Sequence, residues 1–441
     1  MKASRLVAAG AALALFASGC SSSSGGGSGS GSTGGANKAS APGVTATTVT
    51  IGSHQPLTGP AAPGYSEISP ASKAYFDYVN ANGGVNGRKI IYKYVDDGYN
   101  PTNTVDITHK LVLQDKVFAI FNGLGTPTHT KVVDYLNAQR VPDLFVASGC
   151  HCWDEPSQHP YTFGWQTDYI REGKILGSYI KQTFPGKKIA YFSQNDDFGQ
   201  DGVKGLDMYI PKASVVSRQT YQPGNTDIAP QASAIASSKA DVVVLFTIPA
   251  YTALFRLAQL KLANKAQLVV SNVGSDPITL TGLLEAFAKQ GGAKVQGNPL
   301  IQGIVTDSYL VPIGDTTSSW YTLFKKIHDQ YIPKLPLDGN VGYGMASAYT
   351  FVQALQAAGK NPTRASLVAA VNNQHFTGPG LVPYAFSKTS HAGFTGAQIG
   401  VIKGTAIVVQ GQPLTTDDGS GPLQPYTTPP PTAPANGVPS G

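Results

Sequence analysis

The chain has 441 residues, with 32 Lys and Arg against 26 Asp and Glu, and its 13% charged share is about half the usual ~25%. That composition argues against a disordered polyelectrolyte or a coiled coil, and a net charge of +6 scattered along the chain is too weak to imply nucleic acid. With 41% hydrophobic residues and one short apolar run at the N-terminus, the chain can bury large cores without crossing a membrane several times. A soluble protein of two lobes or domains is the expectation.

Lys2 and Arg5 precede Leu6 to Ala17, an uncharged stretch of 12 residues, long enough for an export signal and short of the ~20 needed to span a bilayer. Ala17-Ser18-Gly19-Cys20 resembles the lipobox of bacterial lipoproteins, although Ala17 stands where Leu is commoner. The resemblance implies a signal peptide over 1–19, a lipid on Cys20 and a location on the outer face of the bacterial cell membrane. Without Lys2 and Arg5 the net charge is +4. Residues Ser21 to Gly35 are Ser, Gly and Thr alone, so 20–46 reads as a flexible lipidated tether. Gly29-Ser30-Gly31-Ser32-Thr33-Gly34 matches GxGxxG, but no strand precedes it and no helix follows, so it is a chance match.

From Val44 onward short apolar runs alternate with amphipathic stretches, the pattern of parallel βαβ units. Strands are expected at Val49–Ile51, Ile90–Tyr92, Val117–Phe121 and Leu144–Val146, with helices at Ser66–Asn82, Pro101–Gln114 and Thr128–Gln139. A second run follows Trp165, with strands at Ile189–Phe192, Val215–Val216, Val242–Phe246 and Leu268–Val270. Its helices are expected at Asp168–Thr183, Gly202–Ile210, Ile228–Ser237 and Tyr251–Leu262. Ile304–Val305, helices at Trp320–Tyr331, Tyr343–Ala358 and Arg364–Asn373, and apolar alternation over Ile399–Val409 complete the globule. Residues 412–441, with eight prolines, read as a disordered tail.

Five stretches carry a family resemblance: Gln55-Pro56-Leu57-Thr58-Gly59-Pro60, Asn80 to Ile90, Asp96-Asp97-Gly98, Val141-Pro142 and Gln194-Asn195-Asp196-Asp197-Phe198-Gly199. With the export signal ahead of them, they resemble, in order and spacing, the solute-binding proteins of ABC importers in the branched-chain amino acid (Leu/Ile/Val-binding) class. The resemblance spans about residues 47–410 and implies the type I periplasmic-binding fold, an α/β architecture of two doubly wound, Rossmann-like lobes joined by a three-strand hinge. Lobe 1 is then expected at 47–165 plus 307–397, and lobe 2 at 166–306 plus 398–411. The partners implied are a small-molecule ligand and the permease and ATPase subunits. A monomer is expected, with no cofactor and no nucleic acid.

Ligands of open α/β sheets sit beyond the carboxyl ends of strands. Asn122 to Pro127 follows one such strand and opens a helix, so its N–H groups and the Thr126 hydroxyl suit an anion such as a carboxylate, the other reading being a capped Gly-rich turn. The resemblance places Thr126 at the ligand carboxylate and Ala147-Ser148-Gly149 at the backbone beside it; Gly125, in the same turn, is a further ligand-binding candidate. It makes Phe198 an aromatic that closes over the ligand and puts Tyr65 within one residue of another family aromatic; Tyr251 and Trp153 are further candidates, and core filling is the alternative for each. Amino acid binders place a Glu after the second lobe's last strand, where this chain reads Ser271-Asn272-Val273-Gly274. Asp276 is the nearest substitute, and the ligand need not be an α-amino acid.

Cys150-His151-Cys152-Trp153 leaves three readings open: a disulfide stiffening a loop at the cleft, two thiols, or a soft-metal site. No GxSxG, HExxH or GxxxxGK[ST] occurs, and the eight histidines lack zinc spacing, so an enzyme is not expected. The pairs Asp96-Asp97 and Asp196-Asp197 fall in Gly-adjacent turns and read as solvated or capping groups. A sensor of organic acids or amides that feeds a kinase or regulator is the alternative to transport.

Overall fold

The computed structural model describes residues 36–439 apart from 374, so the expected signal peptide, Cys20 and most of the tether lie outside the described residues. The first lobe is built on a parallel sheet of five strands, in the order β2 (Lys89–Asp96), β1 (Thr48–Gln55), β3 (Ile120–Phe121), β4 (Asp143–Val146), β5 (Thr162–Gly164). β2 is an edge strand and alternates exposed with buried positions, whereas β4, inside the sheet, is buried throughout. The second lobe is built on nine strands. β6 (Ile189–Gln194), β7 (Val215–Tyr221), β8 (Val242–Phe246), β9 (Gln267–Val270) and β10 (Val305–Ser308) run parallel in the order 7-6-8-9-10. β11 (Gly396–Lys403) then joins β10 antiparallel, with Val305 opposite Val401. β12 (Ala406–Val409) folds back on β11, and β13 (Leu414–Thr415) and β14 (Gln424–Pro425) extend the edge.

The chain passes between the lobes three times, after Gly164, after Ser308 and before Gly396. Trp165 anchors the first passage: it is fully buried, its ring meets Tyr343, Tyr309 and Phe394 edge-on, and its indole N–H donates to Thr350 Oγ1 at 3.1 Å. After the second passage, the helices Ser319–Tyr331 and Gly339–Ala357 return to pack on Ile68–Ala81 of the first lobe.

Two expectations need correction. The single helix expected at Thr128–Gln139 is two, Thr126–His129 and Val133–Ala138, because Val132 at φ −124° leaves helical geometry and His129 turns into the lobe interior. β5 and the helix Pro277–Gln290 lie outside the expected elements, although the Asp276 N-cap and Pro277 at the first position are an ordinary helix start. The tail is not disordered. Residues 412–439 run as a strap: Lys174 of the second lobe donates to the Asp417, Gly419 and Gly421 carbonyls, and further along Trp320, Tyr78 and Tyr75 of the first lobe donate to the Pro431, Asn436 and Gly437 carbonyls. Proline removes a donor but leaves its carbonyl, so an extended Pro-rich chain can be held by side-chain donors.

Candidate functional site in the cleft

A cavity of about 470 Å³ lies between the lobes, walled by Tyr65, Tyr99, Thr126 and Ala147 on one side and Phe198, Ile248, Asn272 and Val273 on the other. Its polar end is the turn after β3. Gly125 holds φ +108°, and a Cβ there would stand 2.5 Å from both Thr128 Oγ1 and Tyr99 Cε2, so the turn requires glycine. Thr126 follows, its hydroxyl 2.7 Å from that of Ser148. The Tyr169 hydroxyl lies close to both, and burial pushes this phenol up, so it keeps its proton. The neighbouring strand ends are bent to match: Asn122 and Phe145 take φ of +55° and +64°, and Asn122 Nδ2 donates to the Phe145 carbonyl at 2.9 Å. An aromatic residue rarely holds such a φ, and the bend brings Ala147 beside Leu124.

Beneath this turn lies a buried relay. Asp97 Oδ2 is 2.8 Å from His54 Nδ1, His54 Nε2 is 2.8 Å from His129 Nδ1, and His129 Nε2 is 2.7 Å from Asp143 Oδ2, with all four side chains fully buried. Each contact needs one proton, so the four groups share three. Gly123 sits against the histidine contact; a Cβ there would be 2.6 Å from His129 Nδ1. Asp97 is thus neither solvated nor a cap, whereas Asp96 accepts from Leu57, Thr58 and Gly98 in a turn, and Asp196 caps the helix Asp197–Asp207.

The lobes are closed on each other. The Tyr65 hydroxyl donates to the Val273 carbonyl at 2.7 Å, and Gln194 Nε2 donates to the Tyr99 hydroxyl at 3.3 Å. Phe198, at the start of its helix, packs on Tyr169 with ring centroids 4.5 Å apart. Behind Asn272, its N–H donates to Glu172 Oε1 at 2.7 Å and to Asp307 Oδ1 at 3.1 Å. Burial, and then the adjacent Glu172 charge, holds Asp307 well above the usual carboxylate range, so this acid pair keeps a proton.

Gly125, Thr126, Ala147, Phe198, Tyr65 and Asp276 all line the cavity. Ser148 and Gly149 stand one layer back, Ser148 through its bond to Thr126 and Gly149 through the Tyr169 N–H that its carbonyl accepts. Tyr251 does not join them: it stacks on Tyr221 at 3.9 Å and donates to the Gln222 carbonyl. Trp153 also lies elsewhere, edge-on to His129. Asp276 is already engaged, since Oδ1 accepts from Thr279 N and Oδ2 from Gly339 N of the other lobe. Cys150 and Cys152 are disulfide-bonded, and the Cys150 N–H donates to Ser148 Oγ at 3.2 Å, which ties the bonded turn to the polar end. Tyr99, Tyr169, Asn272 and the relay escaped the sequence reading. Tyr99 directly follows the Asp96-Asp97-Gly98 turn, and Tyr169 follows the helix cap Asp168, the one local signal each had.

Two α/β lobes enclosing a cavity at the carboxyl ends of their strands define a hinged binding protein. A sequence model for a family described as periplasmic binding protein matches residues 48–406, and the chain belongs to that family, in its two-lobed type I form. A Leu/Ile/Val-binding protein of Rhizobium johnstonii is 23% identical over 208 residues, 44% of this chain and 53% of the relative. The chain thus spans about half the length of the curated relatives it matches. A fatty acid ABC transporter substrate-binding protein of Thermomonospora curvata is 23% identical, with a TM-score of 0.73 over 88% of this chain and 98% of that one. A branched-chain amino acid ABC transporter protein of Thermus thermophilus with bound valine is 20% identical, with a TM-score of 0.73 over 84% and 97%.

Proposed function

We propose that the protein is the extracytoplasmic solute-binding component of an ABC importer, held at the outer membrane face by lipid on Cys20 and passing its ligand to permease and ATPase subunits. The ligand is a small carboxylate-bearing molecule, an amino acid or a related organic acid, over which the lobes close. The observation that carries this reading is the hydroxyl cluster of Thr126, Ser148 and Tyr169 at one end of an interlobe cavity. Among the described residues that wall carries no Lys, Arg or His, so the anion is held by neutral donors. Asp276 is engaged as a helix cap and in a contact to the other lobe, one N–H on each oxygen, which favours a ligand that does not depend on an ammonium partner.

Thermal unfolding with a panel of branched and aromatic amino acids, their deaminated acids and short amides tests the reading. A ligand at ~100 times its Kd stabilises by about 2.7 kcal/mol. Thr126→Val should weaken that ligand roughly 10- to 100-fold, the worth of a hydrogen bond to a charged group, while the unliganded melting temperature stays near that of the parent. A panel without any shift, or a Thr126→Val protein that binds like the parent, would refute the assignment.

A further inference from the structure

The cavity does not end at the hydroxyl cluster. Its lining also includes Tyr309, Tyr343, Tyr321, Asn340 and an apolar arm of Leu310, Val311, Ile313, Phe324, Leu337 and Ile407, with Gly314, Thr316 and Thr405, which are exposed, at its rim. A volume of about 470 Å³ falls within the ~300–1,000 Å³ of pockets that bury drug-sized ligands, larger than a valine-sized solute requires. The charged groups in the wall are Asp276 and Asp338. Asp276 is engaged as described, and Asp338 accepts from Val341 N at 2.9 Å and Thr279 Oγ1 at 3.3 Å, so all four carboxyl oxygens have partners. A second carboxylate on the ligand would meet these acids and no cation.

We infer that the arm is a tail subsite and that the ligand is a monocarboxylic acid with an extended apolar chain, its head at Thr126 and its tail directed toward the Thr316 and Thr405 mouth. The inference rests on the solute-capture reading and specifies its ligand class. One polar end and one long apolar wall in a single cavity match an amphipathic molecule, because each removed methylene would leave apolar wall uncovered.

Calorimetry with straight-chain acids from butyrate to dodecanoate, with leucine and a dicarboxylate of matched length, tests it. Affinity should rise about 4-fold per added methylene until the tail reaches the mouth, then level off. Ile313→Trp, which fills the arm, should weaken the long acids at least tenfold and leave butyrate unchanged, and Ile407→Trp at the surface hairpin provides a second variant. Affinity independent of chain length, or long acids unaffected by both tryptophans, would overturn the tail subsite. Tight leucine binding with no binding of the acids would overturn it while solute capture stands. Failure of every solute would remove both.

Discussion

Replacing Gly125 by Ala asks an L-residue to hold φ +108° and to place a methyl 2.5 Å from the Thr128 hydroxyl and the Tyr99 ring. The backbone strain alone is about 1–3 kcal/mol. Since the turn carries Thr126, Gly125→Ala should lower the urea midpoint and weaken the ligand at least tenfold; an affinity like the parent's would show that the turn does not set the head-group position. That Thr126 and Phe198 line the cavity was legible in the sequence, because each follows a strand and opens a helix. Tyr99 and Tyr169 were not, because an aromatic in a loop is indistinguishable from core until its neighbours are placed. The relay is harder still: His54 lies 43 residues from Asp97 and 75 from His129, and only the adjacency of β2, β1, β3 and β4 brings them together. Tyr251 failed as a site residue for the converse reason, since its ring found a stacking partner in Tyr221.

Two helix starts face each other across the cleft, Pro277–Gln290 with its cap Asp276 and Gly339–Ala357 with its cap Asp338. Each cap holds its own helix and also reaches the other lobe, Asp276 to Gly339 N and Asp338 to Thr279 Oγ1, with Glu67 beside them. Burial first, then the charges of Asp276 and Glu67, holds Asp338 well above the ordinary carboxylate range, and burial also raises Asp276 and Glu67. A carboxyl raised in the closed form means that closure takes up protons. Closure is therefore favoured below the raised values and weakens as pH rises through them. Below the ordinary value of ~4 both forms are protonated and the dependence ends. Asp338→Asn keeps the cap and removes the charge. As pH rises above the ordinary carboxylate range the parent should lose affinity and Asp338→Asn should lose less; equal slopes would exclude the cluster as the source. At this scale the strands and most helices were readable from periodicity, while the break at Val132 was not, because it follows from His129 turning inward.

The strap joins the two lobes outside the three passages. Lys174 holds it on the second lobe and Trp320, Tyr78 and Tyr75 hold it on the first, so the strap bridges both sides of the cleft. Apparent affinity scales with the fraction of molecules already competent to close. Deleting 412–441 should therefore weaken ligand binding, by roughly threefold or more if the closed fraction falls that far, and lower the melting temperature. Unchanged binding would mean that the strap is a passive cover. Composition misled here because eight prolines signal disorder when read alone, whereas the donors that order them lie on helices about one hundred or more residues earlier in the chain. The Lys174 end of the strap has a further property. Its buried ammonium lies 2.7–3.0 Å from four oxygens, the carbonyls of Asp417, Gly419 and Gly421 and the Asp417 carboxylate. That ring acts as a host for one guest in the manner of a crown ether: it selects a compact, three-donor ammonium by shape, and a planar guanidinium of equal charge does not match it. Dissolved salt, which strips exposed ion pairs, has little access to such a clasp.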